Sequence, residues 1–136
     1  MIYLLPSKWN ERVEKGVHKQ RLSDGSAMNQ LSQAARHCID ECLRCQAVCL
    51  TTAMTHCLEM GGDHVKPPHF RLMMDCVQIC EVAAHLIAHK SQFHHRMCAL
   101  CADVCAACAS DCEKLSGMED CVNACRSCAA SCRAMA

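Results

Sequence analysis

The sequence predicts an all-α protein: an antiparallel, up-down-up-down four-helix bundle with a cysteine-lined core and a loosely attached N-terminal arm. Three observations carry this prediction. Cysteines recur at alternating steps of three and four residues, the spacing that keeps side chains on one helical face. Glycine and proline stand at a few breaks and stay out of the repeats. Aromatic side chains are confined to Tyr3, Trp9, Phe70 and Phe93. Too few large groups exist to fill an ordinary core, so the 16 cysteines must occupy the interior.

Residues 1–25 contain no cysteine and are interrupted by Gly16 and the Ser23-Asp24-Gly25 turn signal; they read as a flexible arm or short helix. Residues 26–136 form the metal-binding bundle. Its first helix covers about 27–60 and stops at Gly61-Gly62. The second opens at Pro67-Pro68, where a first turn tolerates proline, and runs to about 91. The polar stretch 91–95 turns the chain into a third helix at about 94–115. Ser116 and Glu119 have capping-box spacing and open a fourth, ending near 134. Short connections favour antiparallel neighbours.

Each helix carries a thiol stripe. The first holds Cys38, Cys42, Cys45 and Cys49, and the second Cys76 and Cys80. The third holds Cys98, Cys101, Cys105, Cys108 and Cys112; the fourth holds Cys121, Cys125, Cys128 and Cys132. Cys57 falls about 100° off the first stripe.

Charge and length exclude some classes. The 14 basic and 14 acidic side chains balance without a polybasic block, which argues against nucleic acid or an anionic membrane as partner. No apolar run approaches the ~20 residues of a membrane span. The N-terminal apolar stretch is too short for a secretory signal, so a reducing cytoplasm is expected. There, clustered cysteines point to metal rather than disulfides; side chains at i, i+4 also lean the same way, which hinders a relaxed disulfide. No serine–histidine–aspartate arrangement or glycine-rich phosphate loop suggests an enzyme.

Three metals compete for the thiols. Iron–sulfur binding, and with it ferredoxin-like electron transfer, would want a cysteine run in a wrapping loop, whereas these steps follow helix periodicity. Zinc buffering would place four Zn(II) ions on sixteen thiolates and leave about eight uncompensated negative charges inside. Cu(I) is soft and selects thiolate. If thiolates bridge, roughly one ion binds per cysteine and the core charge sums to about zero.

The segments HCIDECLRCQAVC (37–49), THCLEMGGDHVKPPHFRLMMDCVQIC (55–80) and CADVCAACASDCEKLSGMEDCVNACRSCAASC (101–132) resemble the cytosolic branch of the bacterial copper storage proteins, relatives of which are often labelled ferredoxin-like. The resemblance covers about residues 28–135. It implies a tetrameric four-helix bundle that stores many Cu(I) ions; a copper chaperone is a candidate donor. The second helix departs by having only two cysteines, with Ala83, Ala84 and Ile87 beyond them.

Helical phase nominates further ligands. His56 returns to the first stripe and His69 lies about 20° from Cys76, so both are expected as ligands where the first two helices meet. His64, Met60, Met73 and Met118 fall at the same end and suit an entry port of softer, weaker donors. His94 projects onto the second stripe at the opposite end. His85 and His89 lie on the reverse face of the second helix. A second apolar stripe, Ile39, Leu43, Leu50 and Met54 with Phe70, Met74 and Val77, is expected to make subunit contacts.

Overall fold

The computed structural model describes residues 29–136, and the arm at 1–25 lies outside them. Every regular element among the described residues is helical. Helix α1 begins at Gln33, six residues later than the sequence suggested, after a turn at 29–31. It is α-helical over Gln33–Thr52, widens into one π-helical turn at Ala53–Cys57, and finishes as Leu58–Met60. Gly61 and Gly62 both adopt positive φ (64° and 55°), a conformation glycine takes at no steric cost, and end the helix. A 3-10 turn, Gly62–Val65, leads into α2, Pro67–Ala88, with proline at its first positions.

Helix α2 ends before residue 91 because Lys90 turns left-handed (φ 54°). The Lys90 amide donates to the Ile87 carbonyl and that of Ser91 to Leu86, the paired bonds of a Schellman ending. Helix α3 spans His94–Cys112 and α4 spans Glu119–Met135. The capping box does not form. Met118 takes the N-cap position without a side-chain bond, which makes Glu119 the first helical residue and leaves Ser116 in the loop.

Helix α1 packs on α2 and α4, and α3 packs on the same two, giving a square up-down-up-down bundle. Its register is regular. Going along α1 and back along α4, Cys38 meets Cys132 at 3.6 Å, Cys45 meets Cys125 at 3.7 Å and Cys49 meets Cys121 at 3.0 Å. Opposite them, α2 and α3 bring Cys76 to Cys105 (3.7 Å) and Cys80 to Cys101 (3.9 Å). All sixteen cysteines are buried with free thiols. Small alanines, among them Ala53, Ala83, Ala84, Ala102 and Ala124, fill between them and let the helices approach closely enough for sulfur to touch sulfur. No helix of the described residues is long and apolar enough to cross a membrane.

Candidate metal centre

The thiols form a continuous track. Five groups of four cysteines have all their sulfurs within 4.8 Å of one another. They run from Cys42/Cys101/Cys128/Cys132 through Cys80/Cys101/Cys105/Cys128 and Cys45/Cys76/Cys80/Cys105 to Cys45/Cys49/Cys76/Cys125 and Cys49/Cys108/Cys121/Cys125. Twelve cysteines make up these groups, and eight of them belong to two groups. That overlap bears on which metal fits. Separate zinc sites, each closed by four thiolates of its own, cannot fill all five groups, because the groups share twelve cysteines. An ion that accepts two or three bridging thiolates can use every sulfur. At the ends of the track, Cys38 lies 3.6 Å from Cys132, and Cys112 lies 3.9 Å from both Cys108 and Cys121. With two thiols only, α2 still reaches three of the five groups, and Ala83, Ala84 and Ile87 close the lower track as apolar wall.

Electrostatics in this dry interior divide contacting thiols. Cys101 is held low chiefly by S–H donation from Cys105, and Cys105 is pushed up in turn by Cys101. Cys108 is drawn down to about 2, first by its contact with Cys112. Two touching sulfurs cannot both be bare anions in a low dielectric, so without metal they share protons. A monovalent soft cation that replaces each proton keeps the interior neutral.

The end where α1 meets α2 is chemically different. The π turn inserts one extra residue, and this reverses two expectations drawn from phase. Ala53 and Cys57 become fully buried, so Cys57 belongs to the interior instead of straying from it. His56 leaves the stripe and swings to the loop before α4, where its Nε2–H donates to the Ser116 carbonyl at 3.0 Å. The visible signal in the sequence was the cluster Thr51, Thr52 and Thr55. The Thr55 hydroxyl donates back to the Thr51 carbonyl at 2.7 Å, the kind of local bond that disturbs a regular helix.

Three more expected residues gather here and one does not. His64 is buried and donates from Nε2 to the same Ser116 carbonyl at 3.0 Å; its ring stands edge-on to His56, 5.1 Å between centroids. Met73 and Met118 are fully buried, each with its sulfur 3.8 Å from Cys57 Sγ. Met60 points away and is 53% exposed, so it lies outside the cluster. Burial pushes the Cys57 thiol up, with Cys121 and Cys108 adding to the effect.

His69 is buried, and its Nδ1–H donates to Asp111 Oδ2 at 2.7 Å. Its Nε2 is buried without a partner. Asp111 and Gly117 were not singled out from the sequence, because no periodicity marks a carboxylate or a glycine reached only through the fold. Gly117 has φ 76°, and a Cβ there would stand 2.6 Å from the His56 ring. A groove lined by Asp63, Lys66, Pro68, Asp111 and Lys114 opens onto His69.

The partners of the histidines after α2 are backbone carbonyls and each other. His94 donates from Nδ1 to the Ser91 carbonyl of its own turn at 2.7 Å and stacks on His95. His85 and His89 are exposed.

Comparison with known proteins fits this architecture. A family model described as copper storage protein matches residues 31–136. The cysteine-rich protein YhjQ of Bacillus subtilis is 38% identical over 87 residues, 64% of this chain and 77% of that one. Among solved structures, the Nmul_A1745 protein of Nitrosospira multiformis is 48% identical with a TM-score of 0.74, covering 76% of this chain and 94% of its own. The Cu(I)-bound copper storage protein BsCsp3 is 37% identical with a TM-score of 0.70, covering 76% and 99%. Apo Csp3 of Bacillus subtilis is 36% identical with a TM-score of 0.62, covering 74% and 97%. With its bundle, its thiol track and a family match spanning residues 31–136, this chain belongs to the copper storage protein family.

Proposed function

We propose that the chain takes up and stores many Cu(I) ions on its core thiols, without catalytic turnover. The observation that carries the reading is the overlap of five four-thiol groups into one buried track. Bridging uses each sulfur more than once, and replacement of one proton by one Cu(I) leaves no buried charge to solvate. Free thiols at this density suit a reducing compartment, so the store is assigned to the cytosol, with a copper chaperone as donor.

Copper enters at the mixed end. His69 lines the groove and carries a buried, unpartnered Nε2, and Asp111 fixes the ring so that Nε2 offers its lone pair, as a carboxylate does behind a metal-bound histidine. His56 and His64 hold the loop before α4 in place at this port. An exposed apolar face on α1, Leu43, Leu50 and Met54, is the contact surface of a homotetramer. Ile39 and Val77 of that stripe are instead buried within the chain.

Titration of the reduced protein with Cu(I), read by metal analysis, tests the proposal. Uptake of about 16 ions, one per cysteine, is expected by the bridging argument. Saturation at about four or fewer, as closed four-sulfur sites would give, overturns it.

A further inference from the structure

We propose that Cys57, Met73 and Met118 form a separate site for a single Cu(I) ion, placed there by the π turn of α1. The inference rests on the storage reading above and adds a site of a different kind to it. Cys57 Sγ has a thioether sulfur 3.8 Å away on each of two sides, from Met73 on α2 and from Met118 just ahead of α4. All three side chains are essentially inaccessible. Their sulfurs converge from three different segments of the chain, as a three-coordinate soft cation requires.

Cys57 makes no sulfur contact with another cysteine, unlike the track thiols, and it belongs to none of the four-thiol groups. Its thiolate therefore has no partner ion to bridge to. One thiolate and two neutral thioethers balance one monovalent cation, so a single Cu(I) leaves this pocket neutral, whereas Zn(II) would leave it positive. Binding replaces the Cys57 S–H proton, which is released to solvent, and no electron is transferred.

A second observation points outward from the same place. His69 lies one turn before Met73 on the same face of α2, and its buried Nε2 has no partner. An unsatisfied buried nitrogen is costly unless something fills it. A cation handed between this imidazole and the three sulfurs would satisfy it.

The π turn is what makes the trio possible. In a continuous α-helix the inward position would fall to His56, and Cys57 would lie about 100° to the side. π turns recur at functional sites, and here the extra residue exchanges an imidazole for a thiolate between two methionines.

Labelling the methionine methyls with carbon-13 and following them during Cu(I) loading tests the site, because Cu(I) is diamagnetic. The Met73 and Met118 methyls should shift, while those of exposed Met54 and Met60 stay put. Cys57→Ala should abolish both shifts and lower capacity by about one ion. The volume-conserving double variant M73L/M118L, checked for retained helicity, should lose the same ion. Unmoved methyls in a wild-type protein that loads fully overturn the trio and leave storage standing. Uptake of about four ions or fewer by the wild type overturns storage and the trio together.

Discussion

The two halves of the bundle interior use the same helices for opposite purposes. Along the track, from Cys38/Cys132 to Cys49/Cys121, the fully buried side chains are thiols and alanines, with Ile39, Val77 and Ile87 walling them in, and sulfur meets sulfur at 3.0–4.0 Å. At the α1–α2 end the inward groups are two thioethers, one isolated thiol and imidazoles, tied to a carbonyl and a carboxylate. Uniform spacing of one ligand type favours mutual bridging and retention. Mixed, singly paired donors favour passing an ion onward. One inserted residue separates the two regimes. On the proposed reading the regular helix stores, and departures from regularity, namely the π turn, the glycine pair and the 3-10 turn, build the port.

The contrast breaks most visibly by removing thiols from the middle of the track. Cys45 and Cys125 each belong to two four-thiol groups and to one in common. The Cys45→Ala/Cys125→Ala protein should lose at least the two ions those thiols hold, on the order of 2–4 by shared bridging, as read by metal analysis. Uptake of the first equivalents should change little.

The port responds in the opposite sense. His69→Ala should slow copper removal by a chelator while total capacity falls by at most about one ion. Asp111→Asn should weaken the first ion bound about tenfold, the usual result of losing the carboxylate behind a histidine ligand. His56→Ala should leave exchange closer to wild type, since His56 braces the Ser116 carbonyl. Equal slowing by His56→Ala and His69→Ala would erase the distinction between bracing and binding.

Smaller effects sharpen the picture of the braced loop. Gly117→Ala places a side chain at φ 76° and against the His56 ring, and should cost about 1–3 kcal/mol in thermal unfolding. Adding His56→Ala should recover the part due to contact and leave the backbone part. The smallest effect is on pH. Because the fold raises the Cys57 thiol above its ordinary 9.0, its contribution to apo stability is intact below that value and is lost as pH rises through the higher folded one. Alkaline melts should therefore destabilise the apo wild type more steeply than Cys57→Ala.

Most of the track was legible in the sequence. Steps of three and four are a direct record of helical phase, and within Cys38–Cys49, Cys98–Cys112 and Cys121–Cys132 nothing interrupts that phase. Extrapolating across Thr51–Thr55 failed for a physical reason. Each residue advances the helix by 100° only while the i→i−4 bonding persists, and a π turn resets the count. Cys57, His56 and Met60 were misplaced together by that one residue. The Ser116–Glu119 spacing matched a capping box, yet the Ser116 carbonyl is held by His56 and His64, and the helix starts three residues later. The Asp111–His69 pair joins residues 42 apart and left no local pattern.

The central claim is that thiolates along the track are shared between ions. X-ray absorption at the copper edge of the fully loaded protein tests it directly. Bridging predicts sulfur as the dominant first shell together with a clear copper–copper scattering component, since two ions on one sulfur must lie close together. A sulfur shell with no copper–copper component would mean isolated ions on separate ligand sets, and would contradict the account.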